Sequence, residues 1–347
     1  MGEEAFIVGG RKSRVFFTPE SPELREDGNR LHVFDEGTVG LFPAPPDNSV
    51  VLPRGERSKE WAGVEVILDA AFSRGMARDS VFVGVGGGMV CDVTAFAASL
   101  FMRGAGLELI PTSLLAMADA AFGGKTAVNF RGRKNMVGTF YPAQKILVSS
   151  AFLPRLPQRE YLSGLAEVLK SGMLGDPELF SLLARRGGDL LSSASREDRG
   201  LNLELSRRSL LVKASFVVRD PTEKGIRAHL NLGHTFAHGL EAATGFSRFT
   251  HGETVAWGIL RALDAGLRLG LTDTGYAEEV RALIEGLGYP VRAPGISAES
   301  VLRAMEGDKK KKGGRVRFVL QKKPGDTFMM PLERELIEAV VEAGLTP

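Results

Sequence analysis

The sequence predicts an α/β first half followed by a mainly helical second half. Short apolar, β-branched runs at 31–34, 50–52, 79–85 and 106–110 alternate with helical segments. Repeated units of this kind imply a parallel sheet with helices on both faces. Beyond about residue 157 the apolar positions follow helical spacing almost throughout. At 347 residues the chain fits about two domains, and the change of pattern places their boundary near Ser149 to Pro157.

Composition narrows the class. The chain is 44% hydrophobic and 25% charged, as soluble globular proteins are. A formal charge of +2 gives no electrostatic reason to expect nucleic acid or a membrane surface as partner. One cysteine, Cys91, excludes an internal disulfide and suits a reducing, cytoplasmic setting. The start MGEEAFIVGG lacks the basic segment and apolar core of a signal peptide, and no apolar run is long enough to span a bilayer.

In the first half, the strand Leu31 to Phe34 ends at Asp35. An acid there either meets a ribose hydroxyl or closes a turn. Val50 to Leu52 leads through Pro53, Glu56, Ser58 and Lys59 into a helix from about Glu60 to Ser73, with Ser58 as its candidate cap. Asp79 to Val85 runs into Gly86-Gly87-Gly88 and a helix, Met89 to Met102. Strand, glycine turn and helix together can receive a pyrophosphate on backbone N–H groups. The usual G-x-G-x-x-G fails in both registers, at Met89 or at Cys91, so a tight turn without ligand explains these glycines equally well. After the strand Gly106 to Ile110 comes Pro111-Thr112-Ser113. Ligands of a parallel sheet sit past the carboxyl ends of its strands, where Asp35, the glycine turn and Thr112 fall. Asp119 to Asn129 and Gly132 to Gly138 read as two glycine-bearing loops presenting Asp119, Lys125, Lys134 and Asn135. The Gly-Gly-Lys-Thr within them does not have P-loop spacing.

The second half carries polar residues on helices. In Gln158 to Gly172, Leu162, Leu165, Ala166 and Leu169 form an apolar stripe, while Ser163, Glu167 and Lys170 share another face. That face is either an exposed ion pair or a metal carboxylate beside an anion-binding lysine. Leu201 to Val218 is a helix bearing Lys213, stopped at Pro221 and followed by Glu223 and Arg227. Arg227 to Glu253 then holds four of the five histidines, His229, His234, His238 and His251. His234 and His238 project from one helix face, and His251 arrives on a loop after the Gly245 break. Imidazoles from a helix and a loop, joined by a carboxylate from elsewhere, make a metal site; otherwise they are surface histidines. Glu253 to Leu269, with few charges, is a buried central helix, and 277–287, 299–305 and 331–345 are amphipathic helices. Asp308 to Gly314, with lysines at 309–312, is a basic turn before a strand, Val316 to Leu320.

These blocks together resemble the 3-dehydroquinate synthase family, the sugar-phosphate cyclases of the shikimate pathway. The resemblance rests on Gly86-Gly87-Gly88 to Asp92, Met102-Arg103-Gly104, Pro111 to Leu115, Asp119 to Asn129, Lys134 to Gly138, Ser163 to Lys170, Asn231 to His238, His251-Gly252-Glu253 and Asp308-Lys309-Lys310. They run in family order from about Pro53 to Leu320.

The resemblance implies a Rossmann-like α/β dinucleotide-binding domain over 1–152 and a mainly α-helical metal- and substrate-binding domain over 153–347, with the active site in the cleft between them. It implies that Glu167, His234 and His251 hold a divalent metal, zinc or cobalt. The NAD contacts would be Asp35, Glu56, Lys59, Gly87, Gly88, Asp92, Thr112, Ser113, Lys125 and Lys134. Substrate contacts would be Arg103, Asp119, Lys125, Asn135, Lys170, Lys213, Arg227, Asn231, His238, and Lys309 or Lys310. Catalytic roles fall to His238, Glu223, Lys125, Asn135 and Lys170. The implied reaction turns a linear seven-carbon keto-acid phosphate into a carbocycle with loss of phosphate, NAD being reduced and reoxidised within the turnover. A homodimer in the cytoplasm is the expected state. Two departures stand out: Cys91 where a glycine is usual, and Ala120-Ala121 where serines are common. A metal-dependent alcohol dehydrogenase, a sister cyclase with another product, and a non-enzymatic binding module are the competing readings.

Overall fold

The computed structural model describes residues 2–309 and 316–346, without the side chains of 307–309. In chain order its strands and helices are β1 (Gly2–Val8), β2 (Arg11–Thr18), β3 (Arg30–Asp35), β4 (Ser49–Leu52), α1 (Trp61–Ser73), β5 (Val81–Gly86), α2 (Gly88–Leu100), β6 (Gly106–Pro111), β7 (Lys125–Phe130), β8 (Arg133–Phe140), β9 (Lys145–Ser149), α3 (Gln158–Gly175), α4 (Pro177–Arg186), α5 (Ser193–Glu197) and α6 (Arg199–Val217). They continue as α7 (His234–Ala243), α8 (His251–Arg268), α9 (Thr274–Gly286), α10 (Ala298–Lys309), β10 (Arg317–Lys323), β11 (Asp326–Pro331) and α11 (Arg334–Leu345).

The chain forms two compact units. The first comprises Met1–Leu156 and Arg196–Glu223; the second comprises Pro157–Ser195 and Lys224–Pro347. Helix α6 therefore belongs with the sheet, where it packs on β2, β9 and the π-helical turn Ala116–Ala120.

The first unit is built on a seven-stranded sheet of order β1-β2-β9-β6-β5-β3-β4. All pairs are parallel except β1–β2, an antiparallel hairpin at one edge. The central strands are buried on both faces, Val33, Phe34, Phe82, Val85, Leu107 and Val148 among them. Gly84 lets α2 lie close on β5, since a Cβ there would meet Thr94 and Leu109 at 3.0–3.1 Å. The expected α/β pattern is thus present, with additions. β1 and β2 are too mixed to stand out from local pattern; β9 carries the apolar run Ile146-Leu147-Val148, as legible as 50–52, and was overlooked.

The two glycine-bearing loops expected at 119–138 are instead largely a hairpin, β7–β8. Its period-two signal is faint because only Thr126 and Val128 are fully buried. The turn works through Arg131 and Gly132, both left-handed at φ 49° and 71°. Gly138 allows the strands to approach, because a Cβ there would fall 2.0 Å from the Thr126 carbonyl oxygen.

The second unit is helical apart from the hairpin β10–β11. Helix α8 is its axis, packing against α3, α7, α9, α11 and β10. Val255, Trp257, Ile259, Leu260 and Ala265 on it are buried, as a central helix requires. Among the described residues no helix is long and apolar enough to cross a membrane.

Candidate functional site

The candidate metal ligands of the second unit come from three helices. Glu167 lies on α3, His234 opens α7 and His251 opens α8. His251 is therefore a helix residue, where the sequence pattern suggested a loop. Thr250 caps α8, its hydroxyl accepting from the N–H of Glu253 while the Glu253 carboxylate accepts from the N–H of Thr250 at 2.7 Å. Arg159 of α3 clamps the same carboxylate at 2.9 and 3.1 Å.

The donor atoms converge. Glu167 Oε1 is 3.5 Å from His234 Nε2 and 3.4 Å from His251 Nε2, and the candidate donor atoms all lie within 4.8 Å of one another. Zinc bonds of about 2.0–2.2 Å in tetrahedral array place neighbouring donors roughly 3.3–3.5 Å apart, so two of the edges already have that length. Glu167 Oε1 is buried and takes part in no hydrogen bond, which an ion would remedy. Its other oxygen receives Lys170 Nζ at 2.5 Å.

Each imidazole is oriented by its second nitrogen. His234 Nδ1 faces the Leu232 carbonyl at 3.2 Å, and His251 Nδ1 faces Glu241 Oε1 at 3.0 Å. The Nε2 lone pairs are thereby turned towards Glu167. Burial opposes ionisation of Glu167, but Lys170 and the imidazoles outweigh it and hold the carboxyl well below its usual range. Burial, with Lys170, pushes His234 down and keeps it neutral. Burial also disfavours charge on His251, yet Glu167 and Glu241 together raise it to about 9. The cluster thus calls for positive charge between its members, and a divalent cation fits the donor set.

Glu241 was missed by the sequence reading. It is 5% exposed, holds His251 and also accepts from the Thr254 hydroxyl at 3.3 Å. Its signal was available: it stands two turns beyond His234 on one helix, an acid on the buried side of α7. Ser163 likewise serves the framework, its hydroxyl accepting from the Gly252 N–H at 3.0 Å. His238 is exposed one turn beyond His234, ring centroids 5.6 Å apart. Arg227 is 1% exposed on the short turn Ile226–Asn231, which Asn231 ends. Lys309 and Lys310 lie outside the residues whose side chains are described.

The first unit gathers most of the expected nucleotide residues at the carboxyl ends of β3, β5 and β6. Gly87 precedes α2 and Gly88 begins it, so the first N–H groups of that helix face outward without intrahelical partners. The Thr112 N–H donates to the Gly86 carbonyl at 2.9 Å, tying the β6 turn to the β5 turn. A Cβ on Gly87 would come 3.7 Å from Ser113 Oγ, and one on Gly88 3.4 Å from Ala120. Side chains there would fill the space beside the helix start, so the glycines form a cradle of the kind a dinucleotide phosphate requires. Asp35 closes β3, its Oδ1 accepting from the Gly37 N–H at 2.9 Å. Cys91 is buried, with Sγ 3.6 Å from the Gly86 carbonyl and a thiol pushed up by burial.

A second polar network lies alongside. Lys59 Nζ is 2.6 Å from Asp92 Oδ2 and donates to Asn135 Oδ1 at 2.6 Å. Asn129 links Glu56 to the same group, donating to its Oε1 at 2.9 Å and accepting from the Asn135 N–H at 3.0 Å. Burial works against the Lys59 charge, but Asp92 and Glu56 prevail and raise its pKa. Ser58, the candidate cap of α1, instead donates to the Pro53 carbonyl at 2.6 Å, and Glu60 stands at the cap position. Lys213 of α6 bonds Asp119 at 2.7 Å through Oδ1 and 2.6 Å through its carbonyl. Lys125, first in β7, pairs with Glu223. Lys134 sits on β8.

Arg103 is not brought to this end of the sheet. It follows the last turn of α2, whose 13 residues separate it from Gly87, a length of roughly 20 Å at 1.5 Å per residue. Met102, Arg103 and Gly104 are all left-handed there, at φ 47°, 65° and 123°.

Residues 49–163 match the family model described as 3-dehydroquinate synthase N-terminal, and residues 164–311 match the one described as 3-dehydroquinate synthase C-terminal. A 3-dehydroquinate synthase of Nitrosomonas europaea is 41% identical over 298 residues, 84% of this chain and 80% of that protein. Among solved structures, ValA, a 2-epi-5-epi-valiolone synthase from Streptomyces hygroscopicus with NAD+ and Zn2+ bound, superposes with TM-score 0.83 at 28% identity, covering 90% of each chain. A 2-deoxy-scyllo-inosose synthase complexed with carbaglucose-6-phosphate, NAD+ and Co2+ shares the fold, with TM-score 0.86 at 22% identity over 99% of this chain and 100% of that one.

Proposed function

The chain belongs to the 3-dehydroquinate synthase family, and from that premise we propose that it converts 3-deoxy-D-arabino-heptulosonate 7-phosphate to 3-dehydroquinate and inorganic phosphate. The observation that carries the proposal is the Glu167, His234 and His251 cluster, with donors spaced for one divalent ion, in a chain that also holds a glycine cradle for NAD. The reaction is a phosphate-eliminating lyase step of the shikimate pathway, leading to aromatic amino acids. The first unit is the nucleotide-binding part in this reading and the second the metal-binding part, in a cytoplasmic homodimer.

When bound, the metal supplies Lewis acidity towards two substrate oxygens, and NAD supplies a hydride acceptor that is regenerated in the same turnover. The chain's own residues do the rest. Lys170 fixes the Glu167 carboxylate and offers its charge to the substrate. Lys125 and Arg227 bind the phosphate and carboxylate, with Lys213 and Asn231 holding hydroxyls. Asp119 sets Lys213, and Asn135 shares the network of Lys59 and Asp92, two of the residues that would contact NAD. Glu223, a carboxylate paired with Lys125, is placed for proton transfer near the leaving phosphate. His238, exposed beside the metal cluster, passes protons to and from substrate oxygens. Ring opening and an internal aldol addition then close the carbocycle.

A sister cyclase with another product is the second reading, and the valiolone synthase structure favours it. The greater identity to the Nitrosomonas enzyme, 41% against 28%, supports the first. Incubation with the heptulosonate phosphate, NAD and zinc tests both. Equimolar phosphate and 3-dehydroquinate without net NADH are expected. Stoichiometric NADH would point to a dehydrogenase, and a different carbocycle to the sister cyclase.

A further inference from the structure

The second unit contains a polar cavity that the proposed reaction leaves unused. It has a volume of about 360 Å³ and is lined by Arg261, Asp264, Arg268, Arg281 and Arg292, with Val291 and Ala343 among its apolar walls. Arg261, Asp264 and Arg268 lie on α8 and Arg281 on α9. The cavity is separate from the metal cluster: Arg261 stands ten residues along α8 from His251, roughly 15 Å at 1.5 Å per residue.

Four guanidinium groups face one carboxylate, a formal excess of three positive charges. Asp264 is already engaged. Its Oδ2 accepts from Arg261 Nη2 at 2.6 Å and Nε at 3.1 Å, and its Oδ1 from Arg281 Nη2 at 2.7 Å. Among the described residues, Arg268 and Arg292 meet no carboxylate within ion-pair distance, and both are exposed. Arg261 is 2% exposed and lies over Trp257, and among the described residues its Nη1 has only the Val291 carbonyl, at 3.5 Å. Burial lowers its pKa against the pull of Asp264, and Arg281 and Arg292 lower it further.

Solvated surface arginines account for part of this. Arg268 lies in the last turn of α8, where the helix dipole favours a cation. The dipole does not account for a fully buried arginine sharing one cavity with three others. Convergent guanidinium forks match phosphate oxygens, and the volume suits a small organic molecule rather than a bare ion. We propose that this cavity binds a phosphorylated small organic molecule, its phosphomonoester held by Arg268 and Arg292 against the Arg261–Asp264–Arg281 platform. The site is independent of the catalytic reading.

The test is calorimetric titration of the full chain with glucose 6-phosphate, inorganic phosphate and glucose, beside an R268A/R292A variant. Both arginines are exposed and unpaired, so the variant should melt as the native protein does. R292E serves as a second variant. The native chain should bind glucose 6-phosphate with one site more than R268A/R292A, or at least tenfold more tightly where only one site is seen. Glucose should not bind, and turnover of the heptulosonate phosphate should be unchanged in the variant. Equal binding by native and variant chains overturns the proposal. Inorganic phosphate binding at this site as tightly as the ester would overturn the organic ligand and leave a simple anion site.

Discussion

Glu241 shows how much a single buried acid decides. Its carboxylate fixes the His251 ring through Nδ1, and Thr254 fixes the carboxylate. Partners of this kind typically govern metal affinity by about 10- to 100-fold. E241Q should therefore bind zinc about 10- to 100-fold more weakly in competition with a chromophoric chelator, with its helical circular dichroism intact. Native affinity in that variant would remove Glu241 from the account. His234 and His251 were legible as candidates because the chain has only five histidines, and Glu167 because it shares a helix face with Ser163 and Lys170. Glu241 was legible only as an acid two turns beyond His234 on the same helix; nothing in the local spacing says which buried atom such an acid will meet.

At the scale of elements, glycines on α8 set the distances between the metal-bearing helices. A Cβ on Gly252 would lie 2.3 Å from the Ser163 carbonyl on α3, and one on Gly258 2.2 Å from the Gly233 carbonyl before α7. These are backbone atoms and cannot swing aside. G252A must push α8 away from α3, separating His251 from Glu167. Overpacking of this kind costs about 1–3 kcal/mol, and zinc affinity should fall along with the melting temperature. An unchanged affinity would mean that the helices tolerate the shift. The start of α8 also shows why His251 read as a loop residue. Thr250 and Glu253 form a capping box, a local signature that the preceding Gly245 break obscured.

For the molecule as a whole, the two units have separate cores, and the metal donors all belong to the second. A ligand that binds only the folded state stabilises it by mass action, by about 4 kcal/mol at a thousandfold excess over Kd. Zinc added to metal-stripped protein should raise amide protection in α3, α7 and α8 and leave the sheet strands β3, β5 and β6 little changed. Hydrogen exchange followed by mass spectrometry measures this directly. Protection gained equally in both units would place the metal elsewhere or couple the units through it. The assembly of α6 with the sheet belongs to this scale too. Its Lys213 and the neighbouring Glu223 then serve the first unit, meeting Asp119 and Lys125.

The sequence by itself determined the strand and helix alternation, the glycine turn at 86–88, the helix bearing Glu167 and Lys170, and the histidines at 234 and 251. Such features follow from covalent neighbours, periodicity and side-chain chemistry, which the order of residues specifies directly. Tertiary structure decided what lies far apart along the chain: the approach of Glu167 to two imidazoles, the acid behind His251, and the Lys59 and Asp92 pair. Each of these depends on which surfaces are buried together. Burial energy is shared over many residues, so no short stretch of sequence records it.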